Sequence, residues 1–562
     1  MKGEIIMGRL FKEFNEEKWE QIRTHEYYKT ARTNILASAE EFIKTDPPRI
    51  RFRDIHLFET TGSRVEFQAV YSNYEARMRC FFLAYLLTKE EKYLTELADA
   101  IWNICDFESW SIPAHVAEDL PIERRKTFLD LTSTIMGFRV AEILYFVGDK
   151  LPDLVRRRAE YEVRQRVIES YKKYDFYWKR KTNNWAAVCT GATLCAYLYI
   201  CEREEIDEQL PAMLDSIELY LSGFDDDGCC KEGYGYWNYG FSFFCLFASM
   251  LRDYTNGEID LFKREKVHQI ARFQQNIFIN ENECISFSDS GRRVVPHTWF
   301  SHFLKTEYPD IEIPSLTMEG FNGTEPLRYL LWSDPRLQNC TLNPKNHIYH
   351  DNQWFINRQK DYAFACKAGC NAEFHNHNDV GAFILSKNGR VTLADIGVGL
   401  YTRQYFRSET RYTYLCTSSR GHSVPIINGQ LQVTSPEKSV VYIEKENEYS
   451  FSMENAYDIE SLKTVTRTFR CEADCLYMTD EFKFTKAPTE IIERFVSITP
   501  AEEVSEGVRV GDTVIAYDKS VLELSITTEE HIASAECSET VYLIDLRLKN
   551  PTSVVAVSFK FL

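Results

Sequence analysis

From about Asp54 to Phe278 apolar residues recur at spacings of three and four, the period of one helix face. Phe81-Phe82-Leu83-Ala84-Tyr85-Leu86-Leu87, running on into Tyr93-Leu94-Thr95-Glu96-Leu97-Ala98-Asp99-Ala100-Ile101-Trp102, shows it most densely. The same period predicts helices over Leu129 to Phe146, Leu154 to Tyr174, Trp185 to Cys201, Gln209 to Leu221, Tyr239 to Tyr254 and Leu261 to Phe278, joined by segments carrying Gly, Pro, Asn and Asp. Paired antiparallel helices in succession predict a closed or nearly closed α/α arrangement. After about Asn346 the pattern becomes short and alternating. Val440 to Ile443, Thr464 to Arg470, Thr513 to Tyr517, Val541 to Leu546 and Val554 to Phe559 are β-branched and aromatic runs bounded by turn residues. The chain is therefore expected to be an α+β multidomain protein. An N-terminal α/α toroid of helical hairpins would cover 1–325, and a C-terminal antiparallel β-sheet domain, sandwich-like, 326–562. The stretch Ile311 to Leu342, with Pro314, Pro326 and Pro335, would bridge the two.

Composition narrows the function classes. The 562 residues are 44% hydrophobic and 27% charged, enough for a large core, and the formal net charge is -18. Such a charge disfavours nucleic acid and anionic membrane as partners. No apolar run is long enough to span a bilayer. The start, Met1 to Glu13, lacks the apolar run and small-residue cleavage site of a leader, so a cytoplasmic location is expected. The 16 Cys are scattered through apolar segments, and neither Cys229-Cys230 nor Cys366/Cys370 forms a C-x-x-C. They read as reduced, buried thiols.

Three segments carry candidate chemistry. In Phe374-His375-Asn376-His377-Asn378-Asp379 two His separated by one residue would point to one side of a strand. The Asn388-Gly389 pair predicts a two-residue hairpin turn that folds Asp395 back toward them, and His422 follows in Ser419-Arg420-Gly421-His422-Ser423. The cluster fits a metal site or hydrogen-bonded core histidines, and spacing alone leaves both open. Lys179-Arg180-Lys181-Thr182-Asn183-Asn184-Trp185 places cations and amides at a helix start. There an Asn is either a cap or, with the helix dipole, a carboxylate ligand. Asp225 to Gly240 is rich in Gly, Tyr and Trp. It could pack between helices, or supply a sugar platform with a Tyr hydroxyl as acid or base.

Taken together, Asn183-Asn184-Trp185, Glu232-Gly233-Tyr234-Gly235-Tyr236-Trp237-Asn238-Tyr239-Gly240, His375-Asn376-His377-Asn378-Asp379-Val380-Gly381, Ala394-Asp395-Ile396-Gly397 and Ser418-Ser419-Arg420-Gly421-His422-Ser423-Val424-Pro425 resemble the heparinase II/III-like polysaccharide lyases, the glycosaminoglycan and oligoalginate lyase type. The resemblance spans most of the chain. It implies a lyase cleaving uronate polysaccharides by β-elimination, with Asn184 on the uronate carboxylate, Tyr239 as proton acceptor and donor, and His375 assisting as base. Tyr236 is a rival for Tyr239, and Tyr405 a further catalytic candidate near the leaving group. Asn183, Trp185, Trp237, Arg403, Arg407 and Arg420 are the implied substrate-binding residues. His377, Asp395 and His422 match the family's metal site, with zinc the commonest ion and manganese or calcium the alternatives.

The implied partner is an anionic oligo- or polysaccharide, and a homo-oligomer is left open. Glycosaminoglycan (heparin/heparan sulfate, chondroitin sulfate, hyaluronan) is favoured over alginate on the resemblance alone. The acidic chain charge favours short imported fragments. A toroid-type glycoside hydrolase of unsaturated uronides, using Asp225, Asp226, Asp227 or Glu232, and a non-catalytic carbohydrate-binding relative are the competing readings.

Overall fold

The structure, a computed structural model, describes residues 10, 15–280, 283–318 and 326–562. Of Met1 to Glu13, where the leader was sought, only Leu10 falls within them, and 319–325 of the expected bridge lies outside. The described residues divide into two units. One comprises those in Met1–Gly223, Asn238–Ala271 and Pro296–Leu342; the other, those in Phe224–Trp237, Arg272–Val295 and Asn343–Leu562.

The helical unit contains α1 (Lys29–Ile43), α2 (Val65–Thr88), α3 (Glu91–Cys105), α4 (Leu131–Val147), α5 (Asp153–Val163), α6 (Asn184–Ile200), α7 (Arg203–Ser222) and most of α8 (Tyr234–Tyr254). Neighbours in sequence pack as neighbours in space: α1 on α2, α2 on α3, α4 on α5 and α6, α6 on α7. These are the expected helical hairpins. α4 and α6 are buried on nearly every side, which is why they lack an amphipathic stripe. Gly191 lets α6 approach α8 closely, since a Cβ there would lie 3.1 Å from the Phe243 carbonyl oxygen. The helix expected over Leu154 to Tyr174 is interrupted by a π turn at Arg164–Ile168. There the buried Arg166 binds Glu162 and the carbonyls of Cys105 and Phe107.

The second unit is antiparallel β. One five-stranded sheet runs in sequence order through β1 (His347–Tyr349), β2 (Trp354–Arg358), β3 (Tyr362–Lys367), β4 (Phe383–Lys387) and β5 (Arg390–Leu393). The remaining strands are β6 (Ile426–Ile427), β7 (Val441–Lys445), β8 (Glu448–Ser452), β9 (Leu462–Cys471), β10 (Leu476–Phe484), β11 (Ile491–Ser497), β12 (Ala501–Glu503), β13 (Gly507–Val510), β14 (Thr513–Ala516), β15 (Leu522–Ser534), β16 (Cys537–Leu548) and β17 (Val554–Phe561). They form an eight-stranded sheet in the order β12-β13-β14-β17-β10-β9-β8-β7 and a four-stranded sheet in the order β15-β16-β11-β6. The three sheets share one core, in which Phe383 of β4 meets Phe364 of β3, Phe469 of β9, Phe561 of β17 and Phe495 of β11. Asn388 and Gly389 turn β4 into β5 at φ 49° and 74°, the conformation an Asn-Gly hairpin requires.

The division departs from a single boundary at 325/326. Residues 224–237 and 272–295 sort with the β unit although helical neighbours flank them, and the helical unit continues to Leu342. The helix expected over Leu261 to Phe278 is three short pieces. At its end Phe278 bridges Cys284, and Ile285 donates to the Ile277 carbonyl. None of the 16 cysteines is in a disulfide and 14 are buried, with Cys340 intermediate and Cys537 exposed, in keeping with the scattered spacing. Among the described residues no helix is long and apolar enough to cross a membrane.

Candidate active site

The His-x-His segment is a turn, not the expected strand. His375 has φ 55°, a left-handed conformation that strand pairing does not accommodate. Two loops are fastened to β9 by the buried Arg467, which donates 2.7 Å hydrogen bonds to the carbonyls of Gly381 and Ser423 while paired with Asp480. Both imidazoles nevertheless face one group, the carboxylate of Asp289, which is 4% exposed. His375 Nδ1–H donates to Asp289 Oδ2 at 2.7 Å and His377 Nε2–H to Oδ1 at 3.0 Å. Tyr405 Oη donates to Oδ1 at 2.5 Å and Arg411 Nη2 to Oδ2 at 3.1 Å. Burial alone would raise the Asp289 carboxyl. The hydrogen bonds from His375 and His377 and the charge of Arg411 outweigh it and hold the group well below the usual carboxylate range. An ionised carboxylate only accepts, so Nδ1 of His375 carries a proton and Nε2 is left to exchange one.

Around His375 the same unit gathers two more groups. The Tyr236 ring stacks on the imidazole with centroids 4.1 Å apart, and its hydroxyl lies 2.7 Å from that of Tyr401. Burial, then the charge of Asp289, pushes the Tyr236 phenol above its ordinary range and keeps it protonated. Glu232 Oε2 is 3.5 Å from His375 Nε2, and burial pushes its carboxyl up to about 7. Phe406, 47% exposed, stands edge-on to His375 at 6.3 Å.

Behind this cluster lies a group of buried polar atoms whose hydrogen-bonding capacity is unspent: His377 Nδ1, His422 Nδ1, Asp395 Oδ2 and Asp379 Oδ2. Nε2–H of His377 is committed to Asp289, and that of His422 donates to the Cys416 carbonyl at 2.7 Å. Both Nδ1 lone pairs therefore point to the cluster, the arrangement in which an outer acceptor orients a metal-binding imidazole. His422 Nδ1 is 3.1 Å from Asp395 Oδ2. Donor atoms of His377, Asp379 and His422 lie within 4.8 Å of one another. Two imidazoles and a carboxylate fit zinc better than a harder ion that demands oxygen. Asp379, which also pairs with the buried Lys367 at 2.8 Å, joins the expected His377, Asp395 and His422 here.

In the helical unit, Asn183 caps α6 by accepting from Trp185 N at 3.3 Å. Asn184 follows in the first turn, 4% exposed, and its amide has no hydrogen-bond partner among the described residues, Oδ1 being fully enclosed. Gly240 explains its tight seat, since a Cβ there would come 3.1 Å from Asn184 Cβ. Two of the preceding cations are used locally. Lys179 binds the carbonyls of Tyr171 and Tyr174, and Arg180 binds Asp175.

The other expected site residues fall variously. Tyr239 is half-buried against Phe243, and burial raises its phenol far above the ordinary value. Trp237 is fully buried against Tyr234 and Phe273 and has no face for a ligand, which corrects its assignment to substrate. Tyr405 is likewise fully enclosed with its hydroxyl on Asp289, so it positions that carboxylate and does not reach a leaving group. Arg420 pairs with Glu529 at 3.4 Å, Arg407 is exposed and Arg403 half-buried. The cation that reaches the cluster is Arg411. Neither it nor Asp289, Tyr401 or the Glu232–His375 pairing was visible in the sequence.

No family model matches the chain, and no curated protein sequence does. Solved structures do. Heparinase III aligns over 99% of this chain and 92% of its own, with TM-score 0.64 and 13% identity. The heparan sulfate lyase HepC from Pedobacter heparinus aligns over 99% and 92%, with TM-score 0.59 and 11% identity. The Streptomyces coelicolor A3 chondroitin AC lyase, in complex with chondroitin sulphate, aligns over 97% and 82%, with TM-score 0.58 and 8% identity. The fold is the toroid-plus-β-sheet fold of these lyases.

Proposed function

We propose that the protein is a polysaccharide lyase that breaks the C4–O bond of a uronic acid by β-elimination, leaving a 4,5-unsaturated uronate, and that its substrate is a glycosaminoglycan chain or fragment. The observation that carries this reading is the stacked Tyr236–His375 pair held on Asp289. β-Elimination needs a base for the C5 proton and an acid for the departing O4, and the two rings supply groups of opposite tendency. His375, with Nδ1–H committed to Asp289, offers the Nε2 lone pair to the C5 proton. Tyr236, kept protonated by burial, gives its hydroxyl proton to O4. The C5–H electrons form the new C4–C5 double bond and the C4–O pair leaves with the oxygen. The cycle closes when the proton taken by His375 returns to the Tyr236 oxygen, with Glu232, 3.5 Å from Nε2 and balanced near neutrality, placed to relay it. In the helical unit the Asn184 amide, at a helix N-terminus, has by itself the chemistry of a carboxylate donor.

The metal belongs to the same proposal. A divalent ion, zinc by its donor set, would be held by His377, His422 and Asp395 with Asp379 adjacent. It would supply positive charge that neutralises buried carboxylates and fixes the 375–381 turn. The competing reading, a toroid-type glycoside hydrolase of unsaturated uronides, is less well supported, because among its candidate carboxylates Asp225 is paired with Lys231 and Asp227 accepts from Cys229 N and Asp351 N.

The test is ultraviolet absorbance of the conjugated product from heparan sulfate, heparin, chondroitin sulfate, hyaluronan and alginate oligosaccharides. A rise with a glycosaminoglycan supports the proposal. A rise with alginate alone moves the substrate, and reducing ends released without absorbance would replace the lyase by a hydrolase.

A further inference from the structure

Each residue of the buried cluster behind Asp289 has one polar atom committed and one left over. Nε2–H of His377 is held by Asp289, and that of His422 by the Cys416 carbonyl. Asp395 spends Oδ1 on the Gly397 N–H at 2.8 Å. Asp379 has Oδ1 2.8 Å from the ammonium of Lys367. The atoms left over are two imidazole nitrogens and two carboxylate oxygens: Nδ1 of His377 and His422, and Oδ2 of Asp395 and Asp379. Four donors close a zinc site, whereas manganese and calcium take about six or more, most of them oxygen.

Among these outer partners Lys367 stands apart, because it brings a full charge. It is 1% exposed, a burial that lysine tolerates only when paired. Lys367 ends β3, where Cys366 before it packs into the β core, so strand alternation turns Lys367 to the opposite face, toward the cluster. Its backbone is fixed across from the 375–381 turn: Gly381 N donates to its carbonyl at 2.9 Å, and Lys367 N donates to the Ala382 carbonyl at 3.1 Å. The ammonium also lies 3.9 Å from Glu373 Oε2. A peptide N–H, such as the one that serves Asp395, would engage Asp379 Oδ1 without burying an ammonium. The lysine adds a fixed positive charge beside any cation that the cluster holds. Every divalent ion is repelled by it. An ion held chiefly by charge on oxygen loses most, and one that also bonds well to imidazole nitrogen loses least.

We infer that Lys367 is the ion-selectivity determinant of this cluster: it restricts Asp379 to one ligating oxygen, limits the site to four donors and so disfavours oxygen-demanding ions such as manganese against zinc. The inference rests on the metal reading given above and is independent of the elimination chemistry. Lys367 acts through Asp379 and is a positioning residue.

The decisive measurement is calorimetric titration of the full chain, freed of metal by chelator, with Mn²⁺ alone and then with Zn²⁺ against bound Mn²⁺, for wild type and Lys367→Met. Methionine keeps the apolar stem and removes the charge. The expected result is a preference for Zn²⁺ over Mn²⁺ that falls by about 10- to 100-fold in the variant, the usual weight of a partner one shell removed from a metal. An unchanged or increased preference would overturn the inference and leave the metal site standing. Should Lys367→Met fail to fold, X-ray absorption at the zinc edge of zinc-loaded wild type decides. Four nitrogen and oxygen neighbours, two of them imidazole, are expected, and five or more would overturn the inference. Wild type that binds neither ion would remove the metal reading itself, and the inference with it.

Discussion

Glu232→Gln isolates the energetic consequence of burying a carboxyl beside His375. Glutamine keeps the shape and removes the titration. Burial moves the Glu232 carboxyl from its ordinary 4.5 to about 7, a difference worth roughly 3 kcal/mol at about 1.4 kcal/mol for each tenfold change in proton affinity. The folded protein holds this proton more tightly than the unfolded chain does. Its stabilising effect is therefore complete below about pH 4.5, shrinks as the pH rises toward 7 and is gone above it. Wild type and variant should melt close together near pH 4.5, and the variant should be the more stable by up to roughly 3 kcal/mol at pH 8, on the order of 6 °C in Tm for a unit of this size. Thermal melts of both proteins from about pH 4.5 to pH 8 provide the comparison. Because a chain of two units need not unfold in one step, the quantity to read is the variant-minus-wild-type difference at each pH. A difference that stays constant with pH, or that favours wild type as the pH rises, would refute the reasoning.

The same cluster yields sharper expectations for turnover and metal. Tyr236→Phe should lower kcat by about 10²- to 10⁴-fold, the usual weight of a positioned proton donor, and Tyr239→Phe by much less; the reverse order in the absorbance assay would return the role to Tyr239. Asp289→Asn leaves Arg411 without its buried partner and should destabilise the protein by about 3–5 kcal/mol as well as abolish turnover, which urea unfolding and the absorbance assay read separately. Because the Asp289 carboxyl is held low, its contribution is present above the carboxylate's ordinary pKa and disappears as the pH falls, so in the range of about pH 5 to 2 wild type should lose stability faster than the variant. Metal analysis should find zinc in wild type and not in a His377→Ala/His422→Ala double variant. Chelation should lower the Tm of wild type alone, and an equal response of both proteins would dissociate the metal from these histidines.

Much of the fold was legible because it is written in local periodicity. α4, α6, α7, β9, β16 and β17 lie within a few residues of the segments their apolar patterns predict, and Asn388-Gly389 fixed a hairpin from two residues alone. The membership of 224–237 and 272–295 was not legible. It is decided by contacts between residues far apart in the chain, such as Arg358 on the Asn276 and Phe278 carbonyls and Ser286 on the Asp395 carbonyl, which have no period to detect. The site divides in the same way. Asn184 was readable from helix-start logic, and the two His from their spacing, although the turn at His375 replaced the strand that the spacing suggested. Asp289 sits in Ser286-Phe287-Ser288-Asp289-Ser290-Gly291, a run with no motif. Its importance comes from donors 86 to 122 residues further along the chain, and only the folded chain brings them to it.

That same interleaving sets a timetable for biosynthesis. Glu232 and Asp289 leave the ribosome within segments whose neighbours are helical, yet the His375 imidazole that joins them is made 86 residues after Asp289. At about 5–20 residues per second this is a wait of roughly 4–17 s, and the strand that closes the β core beside β10, Val554–Phe561, arrives later still. Through that interval an acidic residue destined for full burial, together with the apolar Phe287 and Ile285 around it, has no partners to hide against. Nascent chains stalled between Gly291 and His375 should therefore bind chaperones and be cut by protease within 272–295 while the early helical hairpins already resist. The segment that carries the central carboxylate of the finished cluster would become native only after the helical hairpins made before it.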